Sequence, residues 1–244
     1  MGVVKFLVIL LLVLVSGFFY YQFTEPYIMG GTVKDIEKQN ITILRAVDGD
    51  TVDSSIGKIR LLGINTPEKK QPYYQEAKDF MENYENKTIA AEVHEKDKYG
   101  RYLAYIFDSE SGELVNKKQL ELGYANLYYY GEDKYYAEMK KADEDARAGG
   151  IGIWKKSRDF GCIELINLQW NEGKERCVNA EQLVLNNKCE KTLNVIIKDS
   201  ANHIEDENLS YGLFVKNYSC VWNDDGDAIT IRDESGLLLY YSYP

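Results

Sequence analysis

The chain of 244 residues predicts a mainly β protein with helices: a small closed barrel carrying helices, then a β-sandwich, behind an apolar N-terminal helix. Three observations predict it. Between residues 39 and 157 the apolar period switches repeatedly between that of strands and that of short helices. From Cys162 onward strands and turns follow one another with little helical spacing. Phe6 to Phe23, FLVILLLVLVSGFFYYQF, is almost wholly apolar.

That apolar run, taken from Val3, is about long enough to cross a bilayer as a helix. Phe18, Phe19, Tyr20, Tyr21 and Phe23 crowd its end, as an interfacial aromatic belt would. A cleaved signal peptide is the alternative, but bulky aromatics occupy the cleavage zone. The reading is an uncleaved anchor at 1–23 and a short stalk at 24–38, with everything beyond on the extracytoplasmic side. If the segment is cleaved, the protein is secreted instead.

Next comes the barrel, at 39–157. Ile41 and Ile43 alternate in a first strand, and a second is expected from about Ser55 to Asn65, entered through Gly57. Ala77, Phe80, Met81 and Tyr84 lie on one face of a helix over 74–84. Ile89, Ala91 and Val93 mark a strand over 88–94, and Tyr102 to Phe107 another after the turn at 97–100. A short helix runs from about Leu114 to a C-cap at Gly123. A last helix, from about Asp133 to Ala148, presents Tyr135, Met139, Ala142 and Ala146 and stops at Gly149-Gly150. Several short strands with interspersed helices fit the OB-fold, a five-stranded barrel, best.

For the sandwich, at 158–244, strands are expected at 163–168, 181–186, 193–198, 212–216, 228–232 and 237–243. All four cysteines, Cys162, Cys177, Cys189 and Cys220, fall here. An even number in one region points to two disulfides in an oxidising compartment, with three pairings open. Asp225-Gly226 reads as a turn before a strand, so Asp224, Asp225 and Asp227 are structural. His94 and His203 have no ligand-spaced partner and are also read as structural.

Charge limits the partners. The net charge of −10 excludes a globally basic nucleic-acid binder. Residues 34–157 hold 20 Lys/Arg against 23 Asp/Glu, a net of −3; residues 158–244 hold 8 against 15, a net of −7. A local basic patch therefore belongs to the barrel.

The stretch ITILRAVDGDTVDSSIGKIRLLGINTPE, residues 41–68, reads as two strands joined by a short turn. Two acids at 48 and 50, an arginine among leucines at 60, and Asn65-Thr66-Pro67-Glu68 have little use in a strand pair. A site for a metal and a phosphate uses all of them. VDGDT, IRLLGINTPE, DKYGRYLAYIF, LVNKKQLELGYANLYYY and GIGIW, in that order and spacing, resemble the staphylococcal-type thermonuclease family over about residues 39–157. The resemblance implies an OB-type barrel with three helices and a Ca²⁺-dependent endonuclease acting on DNA and RNA, cutting at the 5′-oxygen side to leave 3′-phosphates.

It also implies roles. Glu68 is the general base, held at a rigid turn by Thr66-Pro67. Arg60 and Arg101 clamp the phosphate, a task suited to the planar guanidinium fork. Asp50 and the Thr66 carbonyl are hard oxygen ligands for Ca²⁺, with Asp48 shaping the turn. Asn65 stands where the family usually has Asp; it still offers a carbonyl oxygen but one negative charge fewer, so weaker Ca²⁺ binding is expected. Lys98 and Tyr99 match residues near the terminal phosphate of the bound strand, and Tyr129 an aromatic beside the nucleotide. Packing is the alternative for part of Tyr128-Tyr129-Tyr130, and Trp154 is expected in the core.

VWNDDGDAITIRDESGLLLYYSY, with NAEQLVLNN and LNVIIKDSANHI, resembles the immunoglobulin-like lamin-tail family. Its partner is not named by the sequence. The rival to an enzyme is a catalytically weak or silent nucleic-acid-binding or surface scaffold protein on the same fold. Retention of Arg60, Glu68 and Arg101 favours the enzyme.

Overall fold

The computed structural model describes residues 36–129, 133–170, 181–200, 203–219, 221–222 and 227–243. The expected anchor and most of the stalk, Tyr130, Cys177, Cys220 and the Asp225-Gly226 turn lie outside these residues. Among the described residues no helix is long and apolar enough to cross a membrane.

The chain opens with strand β1 (Gln39–Ala46), β2 (Thr51–Ser54), β3 (Gly57–Leu61) and β4 (Ile64–Asn65). The 41–68 stretch is therefore four strands, not two. The expected second strand misses β2 because Val52 is its only apolar residue. Helix α1 (Tyr74–Glu82) buries Ala77 and Met81. β5 (Thr88–Lys96) and β6 (Tyr102–Phe107) follow, then α2 (Val115–Glu121), β7 (Asn126–Leu127) and α3 (Tyr136–Gly149). Gly123 and Gly150 close α2 and α3 with left-handed backbone, which glycine adopts without steric cost.

Five strands close into a barrel in the order β1-β2-β3-β6-β5, with β3 and β6 parallel and the other pairs antiparallel. A register shift at Leu44 lets β1 pair with β2 and β5 around the curve. Ile41, Ile43, Val52, Ile59, Leu61, Ile89 and Ile106 fill the interior. Asn116 of α2 is fully buried: its Oδ1 accepts from the Ile106 amide, and its Nδ2 donates to the Leu62 and Ala104 carbonyls. This one side chain satisfies backbone groups where β3 runs out beside β6.

A 3₁₀ turn, Gly152–Trp154, leads into β8 (Ile163–Gln169), β9 (Glu181–Asn187), β10 (Leu193–Lys198), β11 (Ile204–Leu209), β12 (Gly212–Tyr218), β13 (Asp227–Asp233) and β14 (Gly236–Tyr243). They form a four-stranded sheet, β11-β10-β13-β14, and a three-stranded sheet, β12-β9-β8, that share one core including Leu183, Leu185, Ile197, Ile229 and Ile231. All six expected strands are present. The seventh, β11, reads IEDENL, and its three acids conceal it from a search for apolar alternation. Cys162 and Cys189 form a disulfide that closes a 27-residue separation.

Residues 36–244 make one compact unit. Trp154, 2% exposed, sits at the junction of barrel and sandwich. It packs with Ala146, Ile153 and Leu237, meets Tyr240 edge-on at 5.3 Å, and lies under the Arg232 guanidinium. Arg232 also donates to the Ile153 carbonyl.

Candidate functional site

The Asp48-Gly49-Asp50-Thr51 turn joins β1 to β2. Asp48 Oδ1 accepts from the amides of Asp50 and Thr51, which fixes the loop. A Cβ on Gly49 would lie 2.7 Å from the Ala77 Cβ and 2.8 Å from Thr66 Cγ2, so glycine permits the turn to press against α1 and the Thr66 segment. Gln119 donates to the Gly49 carbonyl from below. Asp50 is thereby held in the interior edge of the barrel, its Oδ2 accepting from the Thr66 amide and hydroxyl, both at 2.9 Å. Its Oδ1 accepts from Thr51 Oγ1 and faces Arg60 Nε at 3.3 Å. Burial and the neighbouring Asp50 charge push the Asp48 carboxyl up to about 6.

Arg60 lies on β3, paired with Thr51. Its guanidinium donates to the Leu61 carbonyl at 2.6 Å and to Asn65 Oδ1 at 3.3 Å. Arg60, Asp50, Asn65 and Thr66 thus converge at one edge of the barrel. Asn65 is 2% exposed, and its Nδ2 donates at 3.4 Å to the carbonyl of Ser200, a residue of the sandwich. Asn126, paired with Asn65 across β4 and β7, donates to the same carbonyl at 3.3 Å. The Asn65 amide is therefore the group that meets the second lobe. A carboxylate there would face a carbonyl oxygen, acceptor against acceptor.

Glu68 follows buried Pro67 and is exposed. Its backbone exchanges hydrogen bonds with Gln71, and among the described residues no cation pairs with its carboxylate. Lys70 and Tyr73 close the same turn in the left-handed region, φ 79° and 68°. Such backbone in non-glycine residues costs on the order of 1 kcal/mol or more each, so the turn that presents Glu68 is imposed by its surroundings.

Arg101 ends the turn that leads into β6. Its guanidinium pairs with Asp97 at 2.7 Å, and that pairing contributes to holding the Asp97 carboxyl below its usual range. Leu103, two residues after Arg101, is the sheet partner of Arg60. Lys98 and Tyr99 sit in the turn before it, Tyr99 72% exposed with the ammonium of Lys98 5.1 Å from its ring centre. Tyr129 is half-buried. Its hydroxyl lies 2.5 Å from that of Tyr105, and it donates to Asp133 Oδ1 at 2.8 Å, so much of its ring is engaged in packing.

A hard cation suits the donor atoms here. Asp50, the Asn65 Oδ1 and the Thr66 carbonyl offer oxygen only. Among the described residues no three His, Cys, Asp or Glu side chains cluster as a ready metal cage.

The family model described as staphylococcal nuclease homologue matches residues 58–156. A thermonuclease of Staphylococcus hyicus is 31% identical over 136 residues, covering 50% of this chain and 79% of that protein. The chain belongs to the staphylococcal nuclease family. An uncharacterized protein of Methanocaldococcus jannaschii is 33% identical over 150 residues, 48% of this chain and 72% of that protein. A thermonuclease of Staphylococcus intermedius is 29% identical over 164 residues, 62% and 95% of the two chains. The staphylococcal nuclease match begins at Lys58, so it takes in Arg60, Asn65, Glu68 and Arg101 but leaves Asp50 to the local geometry.

Sequence reasoning missed two residues near this site: Ser200, whose carbonyl bonds Asn65, and Lys198 two positions before it. No motif marks either one. Only the packing of sandwich on barrel brings them here.

Proposed function

We propose that this chain is a metal-dependent nuclease that hydrolyses phosphodiester bonds in DNA and RNA. The observation that carries the reading is the convergence of Arg60, Asp50, Asn65 and Thr66 beside an exposed carboxylate, Glu68, that has no cationic partner among the described residues. Glu68 takes a proton from water, and the water oxygen forms a bond to phosphorus. The bond from phosphorus to the 5′-oxygen breaks, that oxygen takes a proton from solvent, and Glu68 gives its own back to solvent. Arg60 and Arg101 hold the phosphoryl oxygens, where removing one such donor costs about 100- to 1,000-fold in rate. For Arg101 the phosphate replaces the carboxylate of Asp97 as the partner of its fork. Asp50, Asn65 and the Thr66 carbonyl would hold Ca²⁺, which when bound supplies further positive charge at the phosphate and orients the water. Tyr99 and Tyr129 offer rings to bases, and Lys98 a charge to the strand's terminal phosphate.

Membrane tethering by the N-terminal apolar run, with the rest outside the cytoplasm, belongs to the same reading. The Cys162–Cys189 disulfide supports an oxidising compartment. The sandwich is proposed as a lamin-tail-like module that carries part of the substrate path. A silent scaffold is the second reading, favoured by one observation: the buried Asn65 amide is committed to Ser200.

The deciding experiment compares the full chain and Glu68→Gln on single-stranded DNA, with Ca²⁺ or with chelator. Cleavage is expected with Ca²⁺ only, and slower by about 100-fold or more in the variant. Equal rates for the two proteins, or no cleavage with Ca²⁺, would sink the nuclease reading.

A further inference from the structure

A cavity of about 550 Å³ lies between the barrel and the sandwich, within the size range of small-ligand sites. One wall is the outer face of the four-stranded sheet, with Lys198, Thr230 and Arg232; the other is α3, with Tyr136 and Arg147. Pro67 and Gln71, which flank Glu68, form part of its lining. So the cavity begins at the turn that presents the proposed base.

The cations of this cavity differ in how they are satisfied. Arg232 donates to the Ile153 carbonyl and covers Trp154. Arg147 lies 4.3 Å over the Tyr240 ring and 3.6 Å from Asp143. These two hold the junction together. Lys140 is exposed. Lys198, the last residue of β10, is partly buried, and among the described residues its ammonium has neither an ion pair nor a hydrogen-bond acceptor. It stands on the same outward face of β10 as Ile196, which also lines the cavity. Two residues on, the Ser200 carbonyl is pinned by Asn65 and Asn126, so the end of β10 is docked at the barrel edge that carries the site.

We propose that Lys198, supplied by the sandwich, contacts the substrate: it binds a backbone phosphate of a single nucleic-acid strand that runs from Glu68 into this cavity. This rests on the nuclease reading. A partly buried ammonium with no directly paired anion is unfavourable, and a phosphate entering the cavity supplies one. Burial and the Arg232 charge push the ammonium down to about 8, while the charges of Asp199, Asp50 and Glu68 act in the opposite sense. Two surrounding rings, Tyr73 and Tyr136, offer π-faces to bases without demanding a sequence. This also gives the acidic sandwich a use in a nuclease, a cation turned toward the cavity from a lobe of net negative charge.

The test is binding of a fluorescein-labelled oligo-dT to the full chain by anisotropy, over a range of salt, with chelator present so that the strand persists. Lys198→Met keeps the aliphatic stem and removes the charge; Lys198→Arg restores a charge. The Met variant is expected to bind roughly 10-fold more weakly, with a salt slope shallower by about 0.7, the value for one phosphate contact on a single strand. The Arg variant should recover both. In the Ca²⁺ assay the Met variant should raise KM more than it lowers kcat. An unchanged affinity and slope in Lys198→Met overturns the inference, as does a loss of affinity that Arg does not repair. Either result leaves Glu68-dependent cleavage, and so the nuclease reading, standing. Absence of both binding and cleavage in the unsubstituted protein removes the two together.

Discussion

The barrel and the sandwich both bury polar side chains, but toward different partners. In the sandwich each buried polar group ties a backbone segment. Glu181 accepts from the amides of Val221 and Trp222, Asn187 donates to the carbonyls of Lys191 and Leu209, and Asp227 accepts from the Ser200 amide. Buried polar groups of this kind satisfy loops that would otherwise lack acceptors or donors. At the barrel edge Asp50 and Arg60 also meet each other, charge to charge, and Arg60 donates to the Asn65 side chain. The contrast separates framework from site: a polar residue bonded only to nearby backbone is explained by folding, whereas a cluster of mutually bonded charges at a cleft asks for a ligand.

Arg60→Ala is the strongest way to break this contrast. It removes the proposed phosphate clamp and leaves Asp50 without its cation. Cleavage should fall by about 100- to 1,000-fold, and urea melts should show a loss of about 3 kcal/mol, the scale of an orphaned buried charge. If stability falls while activity holds, the cluster belongs with the framework after all.

The sandwich is tested by replacing Cys162 and Cys189 with serine. A cross-link over this separation contributes about 3–4 kcal/mol by the chain-entropy estimate. Calorimetry should show that loss, with kcat/KM reduced only as far as the sandwich loosens from the barrel. An identical melting profile would show that the sandwich draws its stability wholly from its apolar core.

Asn65→Asp sharpens the boundary between the two lobes. The new carboxylate returns a negative charge to the proposed cation site and opposes the Ser200 carbonyl. Calorimetric titration should give Ca²⁺ affinity higher by about 10-fold, the scale of one added favourable charge contact. The melting temperature should drop by a few degrees as one interlobe hydrogen bond is lost. Unchanged or weaker Ca²⁺ binding would remove Asn65 from the ligand set.

Much of this was legible in advance. Ala77 and Met81 announce α1 by spacing, the Gly123 and Gly149-Gly150 stops locate two helix ends, and β6 begins and ends where its apolar run does. Arg60, Glu68 and Arg101 stand out because their motifs are local. Three features were hidden for physical reasons. β2 carries too few apolar residues to show a period. β11 is acidic because it is an edge strand, pairing with β10 alone, and Lys216 of the other sheet compensates Glu205 and Glu207. One partner of the Asn65 amide lies 135 residues away in Ser200.

The sequence by itself determined the local structure of the barrel and its family, since hydrophobic period, turn glycines and a compact motif act over short distances along the chain. Only the tertiary structure decided which lobe meets the site. Trp154 and Arg232 seat the sandwich against α3, and that docking brings Ser200 onto Asn65 and Lys198 into the cavity beside Glu68. Contacts between residues more than a hundred positions apart leave no periodic trace in either segment, because each is set by the closure of two separate cores.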